Sequence, residues 1–361
     1  MLSERETIAE LKKLNKPVLI YGNSVVSKEI KDFLFNNGIT TAAFVVDEAY
    51  YKPNTFIDDV KVENIANFID DFDNYSLVNG FINILKSKII MKNNPALMRY
   101  KKIYIIWNAA WTWSWNEEWL SENNDILSEM STSLGDGLSK RTLKALVKAK
   151  STGECEDIIN VSCENQYFNE LTYNINPHEE IYVDCGAFNG DTILKYDEFV
   201  NDNYKKIFAF EPLENNIAML RKNTDNMRDI EVIRGGVWSK RDTLYFDVNS
   251  ASPTTSSISY STTNNKIEVY AIDDIVKDEK VTFIKMDIEG SELEALKGSE
   301  KTIKNNMPKL AVCTYHRKND IIDIYNYAKQ FETKKKKYKF FLRHHSYSSA
   351  ETVLYAIPID K

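Results

Sequence analysis

The chain has 361 residues, enough for two domains that each bury a core of their own. Hydrophobic residues make up 43% and charged residues 27%, and the formal net charge of −7 excludes a broadly basic face for nucleic acid. No stretch reaches the roughly 18 apolar residues that a membrane-spanning helix needs.

In chain order, the charged start from Met1 to Lys16 is helical in pattern and lacks the apolar centre of a signal peptide. A strand is predicted at Pro17 to Tyr21, then a turn at Gly22-Asn23-Ser24 and an amphipathic helix from Val26 to Asn36, with Gly38 as its C-terminal cap. Further strands are expected at Ala42 to Val46, ending on Asp47, at Leu77 to Ile82 and at Lys102 to Trp107. Strands alternating with helices argue for a parallel sheet covered on both faces. This N-terminal domain is placed at residues 1–110. Residues 111–172 read as a helical connector, with helices near Asn116 to Ser131 and Ser139 to Lys150.

A second α/β pattern occupies residues 173–361. Its strands are predicted at Ile181 to Asp184, Ile207 to Glu211, Glu231 to Arg234, Val281 to Asp287 and Leu310 to Thr314. A β-rich excursion at Thr243 to Val248 and Lys266 to Tyr270 interrupts the alternation. Tyr338 to His344 and Thr352 to Ile357 are joined by a short polar segment and should form an antiparallel hairpin. The basic run Lys334 to Lys337 is expected as a solvated loop, the alternative being an anion or membrane-surface patch. Cys155, Cys163, Cys185 and Cys313 form no CxxC pair and match no zinc spacing. A reducing, cytoplasmic setting fits that usage.

Three segments carry chemistry. In IYVDCGAFNGDT, Ile181 to Thr192, a strand ends at Asp184, and Gly186 and Gly190 flank a tight turn that opens a helix. Glycines let backbone approach a ligand, and the helix N-terminus offers free N–H groups to a carboxylate such as that of methionine. A plain packing turn would use the same glycines. FAFEP then places Glu211 at a strand end 21 residues beyond Gly190, where an acidic residue binds ribose hydroxyls. FIKMDIEGSELEALKG, Phe283 to Gly298, adds Asp287 and Glu289 at the same sheet edge. Ser291 with Glu294 reads as a capping box there, and Glu289 alternatively complements the helix dipole.

From about residue 166 onward, roughly half the chain resembles the FkbM family of methyltransferases. The segments that carry the resemblance occur in family order: QYFNEL, VDCGAFNGDT, FAFEP, AIDDI, IKMDIEGSELEALKG, TYHRKNDIIDI and FLRHHSYSSAETVLYAIP. It implies a class I methyltransferase fold, a seven-stranded and mostly parallel sheet with an antiparallel final hairpin. It further implies S-adenosylmethionine as donor and O-methylation of a hydroxyl on a sugar, a glycan precursor or a related metabolite. By position, Asp184, Gly186, Ala187, Phe188, Gly190 and Thr192 would line the methionine part of the cofactor, with Glu211 on the ribose and Pro212 beside it. The third strand ends in Gly235, Gly236 and Val237, where the fold often carries an acidic residue for adenine, so backbone near Val237 and Trp238 is the expected contact. Asp287 would also touch the cofactor.

A hydroxyl needs a base or a metal to lower its pKa before it attacks a methyl group. The candidate catalytic residues are His316, Asp287 and Glu289. Asp287 and Glu289 offer oxygen ligands to a divalent cation, but two carboxylates are few, and the site is read as metal-free. Arg343 and His345 should share one strand face and His344 the other, either at the acceptor site or in sheet packing.

In the N-terminal half, Ser24 and Ser27 replace two glycines of the dinucleotide fingerprint, which argues against NAD and against an oxidoreductase. That half resembles small Rossmann-like domains of sugar-modifying enzymes, in which Gly22, Asn23, Ser24 and Asp47 would meet a nucleotide-sugar; a structural or homodimerising role is the alternative. Trp107, Trp111, Trp113, Trp115 and Trp119 would fill an interface or stack on sugar rings. A non-catalytic protein on a decayed methyltransferase fold is the remaining alternative, and the retained acidic and glycine positions argue against it.

Overall fold

The computed structural model describes residues 2–81, 97–100, 102–107, 114–174, 176–247, 257–259 and 266–360, with backbone only for residues 99, 246, 247, 257–259 and 360. Trp111 and Trp113, and the expected strand ends at Ile82 and Val248, lie outside the described residues. The chain divides into two units. One comprises residues 1–123, 142–162 and 346–350, and the other residues 124–141, 163–345 and 351–361. The helical stretch expected between the domains is thus shared out between the two.

The first unit is built on a six-stranded sheet. Its strands are β1 (Val18–Tyr21), β2 (Thr41–Val46), β3 (Phe56–Ile57), β4 (Val60–Asn64), β5 (Ser76–Asn79) and β6 (Ile103–Tyr104), in the order β3-β4-β2-β1-β5-β6. All neighbours pair in parallel except β3 with β4. Val18 and Ile20 enter one apolar cluster while Leu19 and Tyr21 enter another, because the sheet is covered on both faces. Helices α1 (Glu4–Leu14) and α2 (Val25–Asn36) supply Leu11, Ile30 and Leu34 to the first cluster. Gly38, at φ +72, follows α2 as expected of a left-handed cap residue. The β3–β4 hairpin escaped the sequence reading. Each arm is short and partly polar, and the turn rests on Asp58 at φ +53 rather than on a glycine. Trp115 and Trp119, both buried, stack with ring centroids 4.5 Å apart. They lie in α3 (Glu117–Glu122) and just before it.

The second unit carries α4 (Asn124–Ser133) and the first turn of α5 (Gly137–Thr152), whose remainder belongs to the first unit with α6 (Glu156–Val161). Its main sheet has seven strands: β7 (Ile181–Cys185), β8 (Lys206–Glu211), β9 (Ile230–Arg234), β14 (Phe283–Met286), β15 (Lys309–Cys313), β16 (Lys336–His344) and β17 (Thr352–Asp360). The order is β16-β17-β15-β14-β7-β8-β9. All pairings are parallel except β17 with its two neighbours, so the class I methyltransferase sheet and its closing hairpin are present. The β-rich excursion forms a separate sheet from β10 (Gly236–Val237), β11 (Asp242–Asp247), β12 (Ser257–Ser259) and β13 (Lys266–Tyr270). The main sheet's helices are α7 (Asp191–Val200), α8 (Glu214–Asn223), α9 (Ile272–Val276), α10 (Glu292–Lys297), α11 (Glu300–Asn306) and α12 (Asp320–Lys329).

Chain order reverses between β7 and β14. Open α/β sheets bind ligands outside the carboxyl ends of the strands at such a switch point. Two sequence expectations fail locally. Lys336 and Lys337 open β16 rather than a loop, and the Lys336 ammonium donates to the Asn305 carbonyl at 3.0 Å. Ser291 makes no side-chain cap; instead Glu292 accepts the Ile288 N–H at 2.9 Å, because the chain turns tightly after Asp287. No helix among the described residues is long and apolar enough to cross a membrane.

Candidate active site

Every residue of β7 is buried, so the carboxylate at Asp184 needs partners inside the protein. Thr192, in α7, donates its hydroxyl to Asp184 Oδ2 at 2.6 Å. Lys285, directly across on β14, places its ammonium 2.9 Å from Asp184 Oδ1 and donates to the Gly186 carbonyl at 2.9 Å. Burial alone would lower the pKa of Lys285, but the Asp184 and Asp287 carboxylates outweigh it and raise it, so the ammonium stays charged. The pair braces the turn from beneath, and both Asp184 oxygens are taken up in doing so. Gly186, at φ +83, leaves no room for a side chain: a Cβ there would stand 2.1 Å from the Asp287 carbonyl oxygen. The N–H groups of Gly186 and Ala187 both donate to the Phe210 carbonyl, and Gly190 at φ +88 begins α7.

Glu211, at the end of β8, is joined to this turn. Its Oε2 accepts the Phe188 N–H at 3.0 Å, while Oε1 accepts from the Leu213 N–H at 2.9 Å and the Asn216 amide at 3.1 Å. Burial raises its pKa against those bonds. A carboxylate has about four acceptor positions, so one remains for a ligand hydroxyl.

The third region follows β14 and β15. Asp287 Oδ2 accepts the Tyr167 hydroxyl at 2.9 Å, and Tyr315 reaches Oδ1 at 3.4 Å. His316 has Nε2 3.5 Å from Asp287 and 3.6 Å from Glu289, and Nδ1 2.9 Å from Glu292. Burial opposes the charge on His316, but Glu292, Asp287 and Glu289 together push its pKa up to about 10. A pKa raised that far favours the protonated ring, and the carboxylates around it are the cause. Burial pushes Glu289 up to about 7 despite His316, which puts this carboxylate in the range of a base working near neutrality. Burial also opposes ionisation of Asp287, yet Lys285 and His316 prevail and hold its pKa below the usual value.

The turn, Glu211 and the acidic edge are therefore linked, through Phe188 and through the close pass of Gly186 against Asp287. Pro212 follows Glu211 half-buried, and Val237 is buried in β10. The Trp238 N–H is taken by the Tyr270 carbonyl at 2.9 Å, which removes it as a contact for adenine. Arg343 bonds Asp136 and Ser139, His344 bonds Thr352, and His345 bonds Tyr355 and the Cys163 carbonyl. The three therefore serve packing around the last hairpin. In the first unit, Gly22 is buried, Asn23 and Ser24 are exposed, and Asp47 accepts the Tyr21 hydroxyl at 2.6 Å.

Residues 184–347 match the family model for the Methyltransferase FkbM domain. This part of the chain is similar to FkbM methyltransferase domains. Over 98% of its length the chain shares the fold of methyltransferase FkbM from Methylobacillus flagellatus KT, with a TM-score of 0.73, 23% identity and 92% of that chain covered. Weaker likenesses include an rRNA methylase from Streptococcus thermophilus, at TM-score 0.34 and 14% identity over 52% of this chain and 90% of that one. Aeropyrum pernix fibrillarin, in complex with S-adenosyl-L-methionine, gives 0.30 and 11% over 50% and 68%. These last two carry no weight for the present chain. No curated protein sequence matches it.

The FkbM domain also uses residues that the sequence did not single out. Lys285 interrupts a buried apolar strand, and a lysine there calls for a buried anion. Glu292 follows Asp287 and Glu289 within one loop–helix run, so a third carboxylate could have been counted. Tyr167 lay in view within QYFNEL, but only tertiary structure brings it to Asp287.

Proposed function

We propose that the FkbM domain transfers a methyl group from S-adenosylmethionine to a hydroxyl of a sugar, a glycan precursor or a related metabolite. The observation that carries this reading is the linkage of a Glu211-braced glycine turn to an acidic edge at the switch point of the sheet. The donor set suits the cofactor: Glu211 retains acceptor capacity for a ribose hydroxyl, α7 opens at the turn for a carboxylate, and Asp287 and Glu289 suit a sulfonium charge. When bound, S-adenosylmethionine supplies a methyl group already activated for in-line displacement.

The residues of the chain then have distinct tasks. Glu211 fixes the ribose while Asp184 and Lys285 keep the turn in place. Asp287, held by Tyr167, stays ionised beside the sulfonium. Glu289 would accept the proton of the acceptor hydroxyl, while the bound cofactor would supply the methyl group and keep the electron pair on its sulfur. His316, protonated, keeps the carboxylates together. Alignment and exclusion of water supply much of the remaining rate.

The test is a mass-spectrometric screen of hydroxylated sugars and glycan precursors incubated with protein and S-adenosylmethionine. The proposal expects one acceptor class to gain a methyl group on oxygen, and Glu289→Gln to suppress that gain. Methylation confined to nitrogen or carbon acceptors would overturn the O-methyl assignment.

A further inference from the structure

Glu292 and His316 hold more donor capacity than the protein itself uses. Glu292 is 1% exposed; its Oε1 takes the Ile288 N–H, while Oε2 is buried without a hydrogen-bond partner. His316 is 8% exposed, and its Nδ1 lies 2.9 Å from Glu292 Oε1, an ion pair while the ring is protonated and a ligand position once a cation displaces that proton. On the other side of the ring, Asp287 and Glu289 stand 3.5 and 3.6 Å from Nε2, too far for good hydrogen bonds. Folded proteins seldom bury an orphaned carboxylate oxygen, and Glu292 Oε2 calls for a partner. That partner is cationic, because three carboxylates surround a single imidazole. It is also small, because Glu292 is closed off from solvent.

Among the described residues, Asp287, Glu292 and His316 each offer a ligand atom within 4.8 Å of the others. We propose that these three residues bind one divalent transition-metal ion, of the Mn2+ type that accepts imidazole beside carboxylate oxygens. Glu292, whose Oε2 has no other partner, an imidazole nitrogen of His316 and a carboxylate oxygen of Asp287 would supply its ligands. Its position beside Glu289 gives it a task in the reaction proposed above: holding the acceptor oxygen and lowering the pKa of its hydroxyl. That task rests on the methyl-transfer reading, whereas the site rests on its own donors.

The full-length protein, stripped with a chelator, is titrated with Mn2+ alone, and the free ion is followed by its electron paramagnetic resonance signal. S-adenosylmethionine affinity is measured in parallel by calorimetry. The expected result is one Mn2+ per chain with a dissociation constant below the order of 1 mM. Glu292→Gln and His316→Gln, each checked for folding by circular dichroism, should weaken binding by about tenfold or more. No saturable binding, or equal affinity in both folded variants, overturns the site. If S-adenosylmethionine binds and Mn2+ does not, the metal inference falls alone. If Mn2+ binds and S-adenosylmethionine does not, the metal site stands and the methyl-transfer reading falls.

Discussion

The chain makes a strand–turn–helix junction twice, at Gly22 after β1 and at Gly186 after β7, and the two differ in what surrounds them. At the first, the Ser27 hydroxyl donates to the Gly80 carbonyl at 2.9 Å and takes the Ser24 N–H at 3.2 Å. A Cβ on Gly22 would stand 2.9 Å from that same oxygen. Its serines close the junction onto backbone just after β5. At the second, the support comes from other strands: Lys285 from β14, Glu211 from β8 and the acidic edge beyond Asp287. A glycine turn is thus a place where a ligand can come close, and neighbouring strands decide whether there is chemistry to meet it.

The sharpest way to break this comparison is to remove the buried brace. Asp184→Ala strands the Lys285 ammonium in the core and should cost about 3–5 kcal/mol in denaturant unfolding of the second unit. A loss below about 1 kcal/mol would mean that the pair does not hold the turn. Next comes the base. Glu289→Gln should lower kcat/KM about a hundredfold or more. Since Glu289 sits at about 7 and acts ionised, kcat/KM without added metal should rise with pH through that value, and the rise should vanish in the variant. A rising limb kept in Glu289→Gln would assign the proton to another group.

Glu211→Gln keeps the shape but removes the charge that draws two backbone N–H groups. It should weaken S-adenosylmethionine binding about tenfold or more while the fold survives. The smallest effect belongs to the first junction. Asp47→Ala removes the bond from Tyr21 and should cost about 0.5–1.5 kcal/mol, with S-adenosylmethionine affinity unchanged. A large loss of affinity in Asp47→Ala would erase the distinction between the two junctions.

Much of this architecture was legible because β7, β8, β14 and β15 are largely apolar runs, the first three closing on acids or a glycine, and the closing hairpin is joined by a short polar link. Glu211 could be found because its spacing from Gly190 follows from adjacent parallel strands. What stayed hidden depended on distance in sequence. The protonation of His316 arises from carboxylates of the 287–292 run, 24 or more residues earlier in the chain. Ser291 and Glu294 matched a capping pattern, yet Glu292 bonds the chain there, a choice made by the tight turn after Asp287. Spacing likewise says nothing of the pair that Asp184 makes with Lys285 across the sheet.

The most direct test of the central claim is isothermal titration of the purified chain with S-adenosylmethionine and, separately, with NAD. The account predicts that one S-adenosylmethionine binds per chain, that Glu211→Gln weakens it, and that NAD gives no heat of binding. Absence of S-adenosylmethionine binding by the folded protein, or binding of NAD in its place, would contradict it.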